Sequence, residues 1–455
     1  MVDSFDRVGL AAGLDSAGVP WRELDEVGRR TYAVDGVEPF AMCWPGTASE
    51  VAASLQVADR LGVAISPRGS GTKVSLGNRP RACDLIVSTE RLNRVIDYAP
   101  ANLTVTVEAG VTLAALQSAL AQGGQVLPID PPHSRLATIG GVLAANASGP
   151  RRLGYGSGRD LVIGTRSATA SGKMVRSGGR VVKNVAGYDL GKLYIGSLGT
   201  LVLLVEVNLK VTPIPASQTT VLGWFSSLEG LASAGRAVCR SALMPGALEV
   251  LNARAASAIN DPLLSGQGGR YLLVALGTAP GGGAVRQADE FARIFRECGA
   301  EDVVQVADGA DHQLWTAIGS LGESDAAKED IALKAAVPPG QLLEAWRILE
   351  KRIPALGGNP AIFGRAGSGV FYVSWVPASA SLNGHRADTV AGVQAIRREI
   401  VGLGGSLVVE RCPTILKEHL DVWGNVGNSL GLMRNLKAAL DPRGIMNPGR
   451  FVGEI

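Results

Sequence analysis

Ser66-Pro-Arg-Gly-Ser-Gly-Thr72 opens on the last residue of a β-type run, Val63 to Ser66, and crowds two glycines and three hydroxyls into one short stretch. Two further segments share its texture: Thr138-Ile-Gly-Gly-Val-Leu-Ala-Ala-Asn-Ala-Ser-Gly149 and Lys183-Asn-Val-Ala-Gly-Tyr-Asp-Leu-Gly-Lys-Leu-Tyr-Ile-Gly-Ser-Leu-Gly-Thr200. Glycine takes positive φ at no steric cost, and without a side chain its backbone N–H can close on an anion. One such loop is a common turn. Three of them, separated by strand-like runs, point to a dinucleotide whose pyrophosphate is gripped by backbone amides. A nicotinamide Rossmann loop needs G-x-G-x-x-G opening directly into a helix. Gly69-Ser-Gly71 is followed by Thr-Lys-Val with no helical pattern, which argues against that fold.

The rest of the chain bounds this reading. With 455 residues, two or three domains are expected. Hydrophobic residues at 46% and charged residues at 19% fit a globular protein, not a disordered one. The 59 glycines exceed the usual share of about 7% without a collagen period, so they serve turns and ligand loops. A net charge of +3 argues against nucleic acid as the main partner. The local run of Arg151, Arg152, Arg159, Arg166, Lys173, Arg176, Arg180 and Lys183 reads either as a solvated face or as a surface for a dinucleotide or acidic partner. Cys43, Cys83, Cys239, Cys298 and Cys412 are scattered, with no C-x-x-C pair for zinc or an iron–sulfur cluster. The first residues lack a basic region followed by an apolar one, and the most apolar run, Leu201 to Val207, is too short to span a bilayer. A cytoplasmic location is expected.

Residues 1–35 lack clear periodicity and read as an N-terminal arm. Thr47-Ala-Ser-Glu50 reads as a capping box ahead of a helix bearing Val51, Leu55 and Ala58. Strands are expected at 84–88 and 103–108, a helix capped by Thr112, a hairpin around Ser171-Gly172, and a long β-run over 201–211 that Pro213 and Pro215 stop. Beyond that double proline, helices over 228–239, 284–298, 342–353 and 389–403 alternate with short strands at 271–276, 369–375 and 406–409, an α+β pattern. Gly266-Gln-Gly-Gly269 and Gly281-Gly-Gly283 read as surface loops. The boundaries expected are 36–215 for a cofactor domain, 216–425 for a second domain and 426–455 for a C-terminal return segment.

In order along the chain, Pro67-Arg-Gly-Ser-Gly-Thr72, Pro128-Ile-Asp-Pro131, Thr138-Ile-Gly-Gly141, Asn146-Ala-Ser-Gly149, Gly154-x-Gly156-x-x-Arg159-Asp160, Lys183-Asn-Val-Ala-Gly-Tyr-Asp189, Gly196-Ser-Leu-Gly-Thr200 and Asn447-Pro-Gly449 resemble the loops of the vanillyl-alcohol-oxidase/PCMH flavoprotein superfamily. Within it the chain is similar to the FAD-linked 2-hydroxyacid dehydrogenases over about residues 36 to 453. Ser148-Gly-Pro-Arg-Arg152 and Lys183 to Asp189 resemble the E-type subunits of glycolate oxidase most. The resemblance implies an α+β fold: a PCMH-type two-subdomain FAD-binding domain, an α+β cap domain and a C-terminal segment returning to the flavin domain. It implies cofactor contacts from Pro67, Arg68, Gly69, Ser70, Gly71 and Thr72. Further contacts are implied from Pro128, Asp130, Pro131, Thr138, Gly140, Gly141, Asn146, Gly149, Gly154 and Asp160. A third group is Lys183, Gly187, Tyr188, Asp189, Gly196, Ser197, Gly199 and Thr200, with Asn447 near the ring. Some members tether the flavin through a first-loop histidine. This loop has none, so FAD is expected to be noncovalent.

The cap domain departs from its relatives. Their His-Ala-Gly-Asp-Gly-Asn-Leu-His segment supplies two metal-binding histidines, joined by a glutamate from a later Glu-His-Gly motif. Arg365-Ala-Gly-Ser-Gly-Val-Phe-Tyr372 stands in the first place and Glu410-Arg411 in the second. Guanidinium stays protonated, so it neither ligates a cation nor takes a proton. His133, His312, His385 and His419 show no metal-ligand spacing, and no metal site is expected. Three readings stay open. Arg365 and Arg411, with Tyr372, clamp a small carboxylate in a self-sufficient dehydrogenase, unless the arginines pair with Glu410 or interface acids. The chain is instead an accessory FAD subunit of a 2-hydroxyacid dehydrogenase (glycolate, or D-lactate), bound to a catalytic flavoprotein and an iron–sulfur subunit, and at most peripherally at the membrane through them. Or it is a flavin-free scaffold, which the intact loops oppose.

Overall fold

The computed structural model describes residues 5–180, 187–264, 271–279, 283–306, 309, 311–322, 330–377 and 386–455. The chain forms two units. Unit 1 comprises residues 1–147, 157–214 and 425–455, and unit 2 comprises 148–156 and 215–424. The chain passes from unit 1 to unit 2 at Ile214 and Pro215, between Pro213 and Pro215. The short excursion Ser148–Gly156 into unit 2 carries no compositional mark.

Among the described residues unit 1 holds eleven strands: β1 (Trp21–Glu23), β2 (Ala41–Cys43), β3 (Ile65–Arg68), β4 (Leu85–Ser88), β5 (Val95–Ala99), β6 (Thr104–Glu108), β7 (Gln125–Val126), β8 (Val162–Ala168), β9 (Met174–Gly178), β10 (Leu203–Lys210) and β11 (Thr212–Pro213). They form a four-stranded sheet, order β1-β2-β4-β3, a five-stranded antiparallel sheet, order β5-β6-β10-β8-β9, and the pair β11-β7. This is the two-subdomain arrangement. In the first sheet β4 is parallel to β2 and β3, and the helix Ala48–Leu61 packs Val51, Leu55 and Ala58 into the core beneath them. Thr47 caps that helix by accepting from the Glu50 N–H, while Glu50 reaches back to the Gly46 N–H, one residue beyond a standard capping box. The hairpin β8–β9 forms as read.

Of the segment read as an N-terminal arm, the described residues 5–35 pack into the fold. Asp6 caps the helix Arg7–Ser16, whose Leu10 and Leu14 are fully buried among Val51, Leu55 and Val57. This helix docks through glycine rather than a wide apolar stripe: a Cβ at Gly13 would lie 2.7 Å from a Val57 methyl. Its apolar periodicity is correspondingly faint.

Unit 2 is built on one eight-stranded antiparallel sheet of β12 (Ser217–Phe225), β13 (Ala247–Leu251), β14 (Tyr271–Ala279), β15 (Asp302–Val306), β16 (Ile331–Ala336), β17 (Ala361–Arg365), β18 (Val370–Trp375) and β19 (Ser406–Arg411). Their order is β15-β12-β14-β13-β17-β18-β16-β19. The helices Leu228–Arg240, Gly283–Glu297, Leu342–Arg352 and Arg386–Gly402 bury one face, with Phe291, Phe295 and Trp346 at its centre. The opposite face is covered by Ala253–Ala258 and His312–Gly319 over part of its length. Leu273 and Ala275 point to the first face, Leu272 and Val274 to the second, the alternation a two-sided sheet demands. The loops read around Gly266 and Gly281 lie outside the described residues, apart from Gly283, which opens a helix.

The return segment is pinned inside unit 1. In the helix Ser429–Leu440, Lys437 is 8% exposed and donates from Nζ to the Thr200 carbonyl (2.8 Å), the Met446 carbonyl (2.8 Å) and the Asp441 carboxylate (2.6 Å). Asp441, 1% exposed, also accepts from the N–H groups of Ile445 and Met446. Burial lowers the Lys437 pKa, and the carboxylate of Asp441 opposes that shift. Replacing Lys437 by Met leaves Asp441 as a buried charge without its cation. We expect a loss of about 3 kcal/mol in denaturant unfolding. A loss below about 1 kcal/mol would show that this pair is dispensable.

Candidate functional site

The glycine loops of unit 1 meet. β3 ends at Arg68, and the loop 69–72 turns at Gly71, where φ is +79°. A Cβ on Gly69 would collide with the hydroxyl of Thr138. That hydroxyl caps the helix Ile139–Ala144 by accepting from the Gly141 N–H at 3.2 Å. Gly199 (φ +67°) supplies a third wall, its Cβ position 3.2 Å from Pro67 and 3.4 Å from Nδ2 of Asn447. Asn447 donates that Nδ2 to the Leu198 carbonyl (2.7 Å), and its N–H donates to the Ile65 carbonyl (2.8 Å). The return segment therefore adds a bridge beside β3.

Between these walls runs a cleft of about 680 Å³, counted to its open mouth, lined by Pro67 to Val74, Thr138, Gly141, Leu198, Asn447 and Arg450. An adjoining arm of about 430 Å³ shares Pro67, Arg68, Gly69, Gly141 and Ala144, and adds Gly140, Tyr194, Ser197 and Gly199. Arg68, Lys73 and Arg450 line the cleft and, among the described residues, no carboxylate does. Arg68 lies over the Tyr32 ring, 5.2 Å from its centroid, and burial lowers its pKa. The backbone amides of the Gly69–Thr72 loop and the cations of the lining suit a dinucleotide pyrophosphate, whereas the N–H groups of Ile139, Gly140 and Gly141 already donate to the Val111 carbonyl, the Ala109 carbonyl and the Thr138 hydroxyl.

The other expected contacts fall elsewhere. A Cβ on Gly196 would lie 3.4 Å from that of Asn146, whose Oδ1 is buried without a hydrogen-bond partner. Thr200 is fully buried and donates to the Ser197 carbonyl. Asp160 closes a capping box with Ser157 (2.8 Å to its N–H, 2.9 Å to its hydroxyl), and Pro128, Asp130 and Pro131 lie outside the cleft lining. Gly149 and Gly154 belong to unit 2, where a Cβ on Gly154 would sit 2.9 Å from Gly246. Gly187, Tyr188 and Asp189 also lie outside the lining, with Tyr188 91% exposed, and Lys183 lies outside the described residues. Sequence reasoning missed Arg450, which is 5% exposed and donates to the carbonyls of Val74 and Leu76, shaping the loop after Thr72. Its signal was position alone, directly after Asn447-Pro-Gly449.

On unit 2, the half-open sheet face carries a polar row. Glu249 pairs with Arg365 across β13–β17, and Tyr372 pairs with Phe363 and Lys334 across β17–β18–β16. Glu410 follows on β19 at a register shift. Arg365, 5% exposed, donates to the Tyr372 hydroxyl (2.8 Å) and to the Ser148 carbonyl (2.7 Å), with its guanidinium 4.8 Å from the ring centroid. The Lys334 ammonium is 5.7 Å from that centroid and 3.7 Å from Glu410. Burial raises the Tyr372 pKa, but Arg365 and Lys334 together outweigh it and hold the phenol below its ordinary value. The nearby Tyr372 and Glu410 raise the Lys334 pKa against burial. Arg365 and Arg411 do not converge: they stand on β17 and β19 with β18 and β16 between them. Arg411 instead forms a two-point ion pair with Asp330 and donates to the Gly322 carbonyl. Among the described residues, no group of three or more His, Cys, Asp or Glu could hold a metal.

The pattern of FAD binding domains matches residues 39–178, and that of the C-terminal domain of FAD linked oxidases matches residues 214–451. The chain belongs to the FAD-linked oxidases. It is an FAD-dependent oxidoreductase with the PCMH-type fold of the vanillyl-alcohol-oxidase family. This FAD-linked oxidase is 27% identical to glycolate oxidase subunit GlcD of Bacillus subtilis, covering 93% of this chain and 92% of that protein. It is 29% identical to D-2-hydroxyglutarate dehydrogenase of Xanthomonas citri pv. viticola, covering 94% and 92%. The resemblance to E-type subunits is narrower: 43% identity to GlcE of Escherichia coli extends over 155 residues, 34% of this chain and 44% of that protein. Among solved structures, 4-ethylphenol oxidase from Gulosibacter chungangensis superposes with a TM-score of 0.74 at 16% identity over 98% of each chain, a likeness of fold. No helix among the described residues is long and apolar enough to cross a membrane.

Gly69→Ala tests the cleft. Its methyl would push Thr138 away from the helix it caps, and we expect FAD affinity to fall at least about tenfold while unfolding shifts by no more than about 2 kcal/mol, the scale of one cap. Unaltered FAD binding, read by flavin fluorescence, would remove this loop from the cofactor site.

Proposed function

We propose that this FAD-linked oxidase is the FAD-binding subunit of a 2-hydroxyacid dehydrogenase complex, with glycolate or D-lactate as the acid, and that it serves there as an accessory to a catalytic flavoprotein and an iron–sulfur subunit. The observation that carries the reading is the Arg365–Tyr372 hydrogen bond. It stands where catalytic relatives place two metal-binding histidines. A guanidinium and a phenol bonded to each other cannot hold a divalent cation that orients a substrate hydroxyl. The cofactor supplies hydride acceptance from the α-carbon. This chain's own residues hold the dinucleotide through the loop amides of unit 1, and its lack of C-x-x-C motifs assigns onward electron transfer to another chain.

A self-sufficient dehydrogenase is the second reading. What favours it is the same cluster, because Arg365, Lys334 and Tyr372 offer cations for a carboxylate and an acidic phenol on one sheet face. The intact cleft weighs against a flavin-free scaffold.

Mixing the flavin-loaded chain with glycolate without oxygen separates the two. In the accessory reading the flavin stays yellow alone and bleaches only with its partners present, and chelators change nothing for the isolated chain. Rapid bleaching by the chain alone would defeat that reading.

Tyr372 offers a second measurement. Its phenol is expected to ionise below the ordinary value of about 10, and Tyr372→Phe should abolish this early tyrosinate signal. Because the unfolded chain then binds the extra proton, the group adds stability as pH rises from its folded pKa toward the ordinary value. The wild type should gain on Tyr372→Phe over that window. Equal pH dependence of the two would show an unperturbed phenol.

A further inference from the structure

Lys334 and Lys437 are both withdrawn from water, and the fold treats them differently. Lys437 has an acceptor for each of its three protons. Lys334, with its side chain 26% exposed, makes no hydrogen bond to any described residue; Glu410 stands 3.7 Å from its Nζ, an ion pair beyond hydrogen-bond reach. Its place in the sheet explains this. Leu333 and Ala335 point into the helix-covered core, so Lys334 points to the half-open face. Ala332 and Ala336, two residues away on either side, share that half-buried face and offer only methyl groups. Across the ladder, Tyr372 meets the ammonium with its ring, while its hydroxyl accepts from Arg365. Arg365 is committed to the fold: it donates to Tyr372 and to the Ser148 carbonyl, and its Nε is sealed from solvent. Lys334 Nζ also lacks a hydrogen bond but is not sealed, so a small ligand can reach it. The Tyr372 phenol, and Glu410 after it, raise its pKa against burial, so the charge is kept. A half-buried ammonium with unused protons favours an anion that brings oxygen acceptors. Glu410 beside it disfavours a dianion and suits a ligand that also carries a hydroxyl donor.

We propose that Lys334 is the specificity-determining residue of unit 2: its ammonium holds the carboxylate of a 2-hydroxyacid, and Glu410 accepts from the hydroxyl on the acid's next carbon. The proposal rests on the reading that this sheet face takes a carboxylate. It moves that role from Arg365, whose protons the fold already uses, to Lys334. Arg365 is then a positioning residue that fixes the Tyr372 ring beside the ammonium. Holding the acid makes and breaks no covalent bond, so it is separate from whether this chain oxidises what it holds.

Equilibrium dialysis of carbon-14 glycolate against the FAD-loaded full chain, without oxygen, is the test. Wild type should hold glycolate, and Lys334→Met should hold it at least about tenfold more weakly, the scale of a hydrogen bond to a charged group. Lys334→Arg, which keeps the charge, should recover most of that loss. Acetate, which lacks the hydroxyl, should bind wild type at least about twofold more weakly than glycolate, and equal affinities would remove Glu410 from the site. Glycolate held equally by wild type and Lys334→Met overturns the proposal and leaves the reading beneath it standing. A wild type that holds no glycolate overturns both. Should Lys334→Met fail to fold, the wild type answers alone: glycolate should protect Lys334 from acetylation by acetic anhydride, read by peptide mass, while the exposed Lys351 is labelled as before. Unprotected labelling rejects the contact, and so does a Lys334 that the reagent never reaches.

Discussion

Unit 1 depends on one ammonium group. Lys437 sits almost out of water and spends its three protons on the Thr200 carbonyl, the Met446 carbonyl and Asp441. Each acceptor belongs to a different part of the cleft's support: the loop after Ser197, the bridge beside β3, and the turn that leads into it. A charge so placed is tolerated only if every proton is used. The geometry of Asn447 and Arg450 in the cleft follows from that requirement, since both lie on the segment that Asp441 and Met446 position.

The cofactor site and the cap site reach their electrostatics by opposite routes. In the cleft, cations stand in a lining that, among the described residues, includes no carboxylate, which suits a dinucleotide's negative charge. On the sheet of unit 2, Arg365 and Lys334 are balanced from within, by Glu249, Glu410 and a phenol made acidic by its surroundings. A metal centre would have required neutral nitrogen donors there. The chain has instead placed two fixed positive charges around a tyrosine, which alters what can be held on that face and how it responds to pH.

Much of this was legible in the sequence because it rests on local rules. Thr47 and Thr112 cap helices as their spacing requires, and Gly69, Gly71 and Gly199 are glycines because their neighbours leave no room for a Cβ or demand positive φ. What stayed hidden depends on distant partners. Arg450 is one more arginine until Val74 and Leu76 are seen beside it. Gly154 reads as a cofactor glycine but packs against Gly246, and Asp160 reads as a ligand but caps its own short helix. Arg411 looks like a substrate clamp until Asp330 is found across the sheet. Composition cannot distinguish a residue turned toward a ligand from one turned toward its own fold.

The order of the two units along the chain has a kinetic consequence. Unit 2 interrupts unit 1 between Ile214 and Asn425, yet β3 must pair with the stretch around Met446 before the cleft exists. An unfolded insert makes that encounter a long loop closure, whose entropic cost rises with the length of free chain. A folded insert fixes the distance between its own ends and removes most of that freedom. Flavin loading should therefore be hostage to the folding of unit 2, and substitutions in the core around Trp346 will show themselves first as protein that emerges colourless.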